Sequence, residues 1–254
     1  MKLYQQLINL IPPHKTYIAT HAGHDAIACM KRPADKNIMI DLDADVIGWW
    51  KARIATNDDA AGVIATSNDG RRQSSPPPAI SAATIARGEG GRHRHHWRCY
   101  QVDATAWLGS YPFTGDEFAY VDPPYLIGSR SSGREFYNCE MTDSEHEALL
   151  RQLLRVDCNI MISHYHHEMY MDMLSKWHWR TFRAYDRAGN EKTEYVWMNY
   201  EEPASLHDYA YLGETFRERE RIKRKRQRWA KNWQRMDRLE RLAILAAIEG
   251  VNQC

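Results

Sequence analysis

The sequence predicts an α/β protein built on a parallel sheet. Three observations point there: short β-rich runs alternate with helical ones, 254 residues at 43% hydrophobic and 26% charged supply one sizeable core, and a buried run stops abruptly at Asp122-Pro123-Pro124-Tyr125. That length suits one large domain, or one domain with a smaller insert, and the composition excludes wholesale disorder and fibrous repeats. The longest aliphatic run, Ala243 to Ile248, is far below the ~20 apolar residues of a membrane span. Gln5, Gln6 and Asn9 interrupt the N-terminal apolar stretch before Pro12-Pro13, unlike a secretory leader, so an intracellular chain is expected. Cys29, Cys99, Cys139, Cys158 and Cys254 are odd in number and widely spaced, which predicts reduced thiols and a cytoplasmic setting.

In chain order, Tyr4 to Leu10 reads as a short helix ended by Pro12-Pro13, and Thr16 to Ala19 as the first strand. A turn and helix follow to about Lys31, then a strand from Asn37 to Ile40 ending at Asp41, and helix again from Ala44 to Trp50 and Lys51. From Ala52 to Arg98 apolar periodicity fails, and Ser74-Ser75-Pro76-Pro77-Pro78, Gly88-Glu89-Gly90-Gly91 and His93-Arg94-His95-His96 mark an insertion expected to be mostly loop and partly flexible. Tyr100 to Val102 reads as a strand edge before Asp103, and Glu117 to Val121 as a buried strand that two prolines terminate. Thr142-Asp143-Ser144-Glu145 is a capping box for a helix whose apolar face is Leu149, Leu150, Leu153 and Leu154. Asn159 to Ser163 is a strand, Met169 to Leu174 a helix, Glu194 to Asn199 an aromatic strand, and Arg217 to about Glu249 one or two helices.

The net charge of +1 is unevenly spread: between Glu214 and Arg241 twelve Lys or Arg face five Asp or Glu, a local +7 that leaves −6 elsewhere. Arg224, Lys225, Arg226 and Arg228, within this cluster, form either a polyanion surface, where phosphate contacts release counterions, or a solvated helix with internal ion pairs. His93, His95 and His96 lack Cys or acidic neighbours at ligand spacing, so no metal site is expected. His164, His166 and His167 follow a strand end and read as polar residues opening a helix, with a place facing the site as the alternative. No G-x-S-x-G elbow supports a hydrolase.

Asp122 to Tyr125 carries the chemistry. A conjugated exocyclic amine is a poor nucleophile. Donation of its two N–H groups to the Asp122 carboxylate and the Pro123 carbonyl would draw the nitrogen toward tetrahedral geometry and aim its lone pair at a methyl sulfonium. Pro123 and Pro124 hold that carbonyl rigidly and offer no competing N–H, and Tyr125 supplies a flat face for a base taken out of its duplex.

With these residues the sequence resembles the Dam-like DNA N6-adenine methyltransferases, most closely their phage-type members. The likeness runs through Tyr17–Pro33, Asn37–Trp50, Asp103–Arg130, Met141–Leu154, Ile160–Leu174, Glu194–Tyr200 and Leu206-His207-Asp208-Tyr209 with the basic tail, and skips the insertion. It implies a Rossmann-like S-adenosylmethionine-dependent methyltransferase fold with a mixed sheet: a catalytic domain over 1–51 and 99–200, an inserted target-recognition region over 52–98, and a basic helical extension over 201–254. The implied activity is transfer of a methyl group from S-adenosylmethionine to adenine in DNA. Alternatives are a catalytically weakened DNA-binding protein on the same fold, or an N4-cytosine or RNA amino-methyltransferase. The implied partner is DNA, with no membrane, for a monomer or weak dimer in a bacterial or phage-infected cytoplasm.

Position by position, the resemblance places Tyr17, His21, Gly23, Asp25, Asp41, Asp103 and Asp122 around the cofactor. Asp41 would take the ribose hydroxyls and Asp103 would border the adenine, although both also read as helix caps, and Tyr17 also reads as core. The family's first motif has an acid before it and a second glycine; here Ala19 and Asp25 occupy those places, and an Asp25 facing the pocket would meet the cofactor's ammonium group. Arg87, Arg92, Arg94 and Trp97 of the insertion are expected to engage DNA, Trp97 as a wedge. A flexible basic loop attracts phosphate without holding side chains at base edges, which predicts relaxed choice of site.

Overall fold

The computed structural model describes residues 1–59, 95–129, 137–185 and 191–251. Its strands are β1 (Thr16–Thr20), β2 (Lys36–Asp41), β3 (His96–Gln101), β4 (Glu117–Val121), β5 (Asn159–Tyr165), β6 (His178–Tyr185) and β7 (Glu191–Met198). They form one sheet in the order β3-β2-β1-β4-β5-β7-β6. β1 to β5 pair in parallel, and β7 lies antiparallel between β5 and β6. This is the Rossmann-like mixed sheet of the methyltransferase fold that the resemblance implies: β1 to β5 form the parallel part that the alternation of strands and helices predicts, and β7 makes the sheet mixed.

The helices are α1 (Leu3–Ile8), α2 (Ala26–Met30), α3 (Ala44–Asp59), α4 (Ala104–Ser110), α5 (Asp143–Leu153), α6 (Glu168–Met173), α7 (Phe216–Arg235) and α8 (Arg238–Val251). Side-chain caps start several of them. Asp25 accepts from the Ile27 amide and Asp103 from the Ala106 amide, each at 2.7 Å. In the expected capping box Thr142 Oγ1 accepts from the Glu145 amide at 3.3 Å, while Glu145 accepts from the Thr142 amide at 2.7 Å. Leu149, Leu150 and Leu153 of α5, Leu108 of α4 and Tyr170 of α6 pack on Ile18, Ile38, Ile40, Ala119, Val121, Ile160 and Ile162, filling one face of the sheet. Alternation sends Tyr17 and Phe118 to the other face, where their rings stack 6.1 Å apart.

Several boundaries differ from the sequence reading. α3 continues past Lys51 to Asp59, and β3 begins at His96, so both ends of the predicted insertion are regular structure. The third strand therefore spans His96 to Gln101, not Tyr100 to Val102. Leu154, read as part of the α5 apolar face, is half exposed at the helix end. β6 and α4 had no counterpart in the reading. The described residues divide into two compact units, one of 2–59, 95–129, 137–185 and 191–209, the other of Met1 and 210–251. The boundary between the units lies at 210, and residues 200–209 dock on the sheet-bearing unit. There the Tyr200 hydroxyl donates to Leu10 O at 3.0 Å, the His207 amide to Ile11 O at 2.9 Å, and the Arg32 amide to Asp208 at 2.8 Å. Among the described residues no helix is long and apolar enough to cross a membrane.

Candidate active site at the strand ends

Parallel strands bind ligands beyond their carboxyl ends, in the crevice where strand order reverses, here between β1 and β4. The turn after β1 contains two left-handed residues, His21 (φ 54°) and Gly23 (φ 39°). Glycine takes that conformation without strain, whereas His21 holds it at a cost of about 1–2 kcal/mol. Three hydrogen bonds fix the turn: Gly23 N–H to Asp41 Oδ2 at 2.9 Å, Trp50 Nε1 to Gly23 O at 2.9 Å, and Ala22 N–H to Ile40 O at 2.9 Å. Asp41, at the end of β2, also accepts from the Asp43 amide through Oδ1 at 2.9 Å. Each of its oxygens keeps a second acceptor site.

His21 is half-buried, and its Nδ1 is shut off from solvent without a hydrogen-bond partner among the described residues. Burial, helped by His146, pushes its pKa down to about 4, against a pull upward from Asp103. Asp103 lies at the carboxyl end of β3, exposed, its Oδ1 capping α4. Tyr17 and Asp25 have a different place from the one expected. Tyr17 is fully buried and its hydroxyl donates to Asp25 Oδ2 at 2.7 Å, while Asp25 Oδ1 caps α2. The Lys31 ammonium covers the Tyr17 ring at 4.0 Å. Asp25, where a second glycine was expected, is thus a buried cap and tyrosine acceptor; its charge bears on the cleft only from beneath.

β4 delivers Asp122 to the cleft, and a polar relay supports it from below. Ser163 Oγ of β5 donates to Asp122 Oδ1 at 3.0 Å, and the Tyr120 hydroxyl lies 2.9 Å from Ser163 Oγ. With the serine proton committed to Asp122, Tyr120 is the donor in that second bond. Although Asp122 presents open surface to the cleft, the protein atoms packed around it desolvate its carboxyl. That desolvation, together with the charge of Asp25, raises its pKa to about 6 against the pull of Ser163 and Tyr125. The Tyr125 hydroxyl donates to Glu194 Oε1 of β7, and its half-buried ring is flanked by His164 at 4.8 Å and by the edge of Tyr165 at 4.6 Å. Glu194 is 5% exposed; burial, then the charge of Asp122, pushes it up to about 7.

His164 braces the same loop. Its Nε2 accepts from the Leu126 amide at 2.9 Å and its Nδ1 donates to Tyr165 O at 2.7 Å. Its ring stacks on Tyr170 at 4.3 Å, and Tyr170 meets His146 Nδ1 at 2.8 Å. Of the three histidines read as opening a helix, only His167 does so, as the cap of α6; His164 belongs to β5. Asn199 clamps β7 to β5, accepting from the Ile160 amide at 2.7 Å and donating to Cys158 O at 2.8 Å. Sequence reasoning missed Glu194 and Ser163 as site residues and gave His164 a place at the site only as the alternative to opening a helix. The available signal was a polar residue inside a buried run, as in Ile160-Met161-Ile162-Ser163-His164 and Glu194-Tyr195-Val196-Trp197.

Of the residues expected to engage DNA, Arg87, Arg92 and Arg94 lie outside the described residues. Trp97 is corrected from a loop wedge to a half-buried strand residue of β3, stacked on Trp50 at 6.0 Å. Arg224, Lys225, Arg226 and Arg228 lie on α7, where no residue is buried; that helix belongs to the other unit.

No protein-family model matches the sequence, and no curated protein matches it. Among solved structures, the chain is similar to an rRNA methylase from Streptococcus thermophilus, at 8% identity over 77% of this chain and 93% of that one, with a TM-score of 0.42. It is similar to magnesium protoporphyrin IX methyltransferase from Synechocystis PCC 6803 with bound SAM, at 12% identity over 78% and 80% and a TM-score of 0.43. A third is precorrin 8W decarboxylase from Methanobacterium thermoautotrophicum, at 10% identity over 76% and 84% and a TM-score of 0.39. Identities this low leave the activity to be argued from the site.

Proposed function

We propose that the chain is an S-adenosylmethionine-dependent methyltransferase that acts on N6 of adenine in DNA with relaxed choice of site. The observation that carries this reading is Asp122-Pro123-Pro124-Tyr125 at the carboxyl end of β4, across the crevice from the Gly23–Asp41 turn. The donor set suits the cofactor. Asp41 is oriented by two backbone amides and can still accept ribose hydroxyls, and the orphaned His21 Nδ1 offers an enclosed polar contact. Asp122 and Glu194 are both raised by desolvation and then by a neighbouring carboxylate, Asp25 from beneath in the first case and Asp122 in the second, so a cationic ligand would relieve their repulsion. Bound there, S-adenosylmethionine would supply an electrophilic methyl group on a sulfonium.

The chain's own residues do the rest. Tyr120 and Ser163 fix Asp122 so that its remaining oxygen faces the cleft, where it accepts an amine N–H while the Pro123 carbonyl accepts the other. With a pKa near 6, Asp122 is basic enough to take the proton that the alkylated amine sheds. Glu194 and His164 hold Tyr125 and the loop beyond it, presenting the exposed part of the ring for stacking against a base.

The test is to incubate the full chain with methyl-labelled S-adenosylmethionine and mixed-sequence DNA, then digest to nucleosides. N6-methyladenine is expected, scattered over short sequence contexts. Label found only as N4-methylcytosine, or only in an RNA control, would move the substrate. Calorimetric binding of DNA with neither cofactor binding nor label would make the chain a DNA-binding protein on this fold.

A further inference from the structure

One edge of the sheet carries a groove outside the cleft. β2 and β3 pair so that Lys36 lies opposite His96, Ile38 opposite Arg98 and Ile40 opposite Tyr100. Strand alternation puts these six side chains on one face and turns Trp97 to the other, toward Trp50 of α3. Leu108 of α4 shares a core cluster with Ile38 and Ile40, but α4 is only seven residues long. Beyond it the face stays open as a groove of about 370 Å³.

The lining combines two kinds of group. Lys36, His96 and Arg98 are exposed, and among the described residues no carboxylate forms an ion pair with any of them. Two nearby acids are already engaged: Glu117 accepts from the Thr114 amide and hydroxyl, each at 3.0 Å, and Asp116 pairs with Lys15 at 2.7 Å. Against this basic row stand half-buried aromatic rings. Tyr100 lies 6.0 Å from Trp107, and Trp107 stacks on Tyr111 at 4.5 Å with 23° between planes. Uncommitted cations beside partly uncovered aromatic faces suit a ligand that alternates negative charge with flat rings, which is the chemistry of a nucleic-acid strand.

We propose that this groove binds a single nucleic-acid strand, with bases against Tyr100, Trp107 and Tyr111 and phosphates at Lys36 and Arg98. It opens where β2 and β3 begin, roughly one strand length, ~17–20 Å, from Asp41 and Asp103 at the other end of the sheet. A strand held here flanks the reacting position and does not enter the cleft.

The test is ultraviolet crosslinking of the full chain to an oligodeoxythymidylate carrying 5-bromodeoxyuridine, with the crosslinked peptides mapped by mass spectrometry. Crosslinks are expected on Tyr100, Trp107 or Tyr111, and the Lys36→Glu/Arg98→Glu double variant should lower their yield at least tenfold; both side chains are exposed, so the variant keeps its fold. Crosslinks confined to other peptides, yields unmoved by the charge reversal, or equal competition by thymidine monophosphate would each overturn the proposal. Neither substituted residue lies in the strand-end cleft, so methylation of mixed-sequence DNA is scored separately and the two readings fail independently.

Discussion

On the proposed function, Asp122 would polarise an amine N–H only while its carboxylate is ionised, and desolvation by the packed protein atoms has moved its titration into the range of ordinary assays. The sign follows directly: above about pH 6 the acceptor is present, and below it a proton occupies the oxygen the amine needs. Turnover should therefore fall as pH drops through 6. Asp122→Asn should cost about 10²–10³-fold in rate, on the scale of one lost preorganised hydrogen bond, and should lose that acid limb while DNA binding is retained. A pH–rate profile of both proteins checks this, and near-wild-type turnover by the Asn variant would remove Asp122 from its role. Asp122 to Tyr125 was legible because the four residues are contiguous and the prolines mark where their strand stops. Glu194 was not, since its contact with Tyr125 spans 69 residues and exists only because β7 lies beside β5. The resemblance puts Tyr17 and Asp25 at the cofactor by family position, and the hydrogen bond between them was not legible because it depends on how the β1 turn folds back.

The segment 206–209 docks on the rest of the sheet-bearing unit through a pair of stacked imidazoles. His14 and His207 lie 3.9 Å apart; His14 Nδ1 meets Pro12 O at 2.8 Å and His207 Nε2 meets Arg32 O at 2.8 Å. Burial, then the charge of Lys31, lowers His14 to about 2 and His207 to about 4. Lys31 is itself pushed down to about 7 by burial. An unfolded chain protonates both histidines below about 6.5 and the folded one does not, so their contribution is complete above that pH and is lost as pH falls toward 4, by roughly 2 kcal/mol per histidine at pH 5. Glu194 acts in the opposite direction, since a raised carboxyl favours the fold at lower pH. The informative quantity is therefore the difference between wild type and His14→Phe in urea unfolding: the variant should lose less stability between pH 7.5 and pH 5. Equal losses would mean that the pair is protonated in place. At this scale legibility followed burial. β1 and β4 are buried along their whole length and stood out as apolar runs, whereas β6 exposes nearly every residue and carries no such pattern.

The two units divide the charge as well as the chain. α7 is a twenty-residue helix with Thr215 as its cap, no buried residue, and weak internal pairs such as Arg221–Glu218 at 3.7 Å and Lys223–Glu220 at 3.8 Å. Exposed pairs of this kind contribute little to stability, so charge removal should spare the fold. Changing Arg224, Lys225, Arg226 and Arg228 to Gln should weaken DNA binding for all sequences alike and flatten the log–log salt slope by about 0.9 per lost phosphate contact. Filter binding at several salt concentrations measures it, and an unchanged slope would leave α7 a solvated surface. The antiparallel placement of β7 bears on the assembly of the whole. β1 to β5 can complete their parallel pairings among themselves, with Asp41 and Asp122 already at the crevice, and still leave the Tyr125 phenol unheld. Glu194 lies in register opposite Tyr165, on the β6–β7 hairpin that joins the parallel strands only through β7. The ring of Tyr125 is thus fastened across the β5–β7 seam, and a sheet opened at that seam would keep the acid without holding the ring.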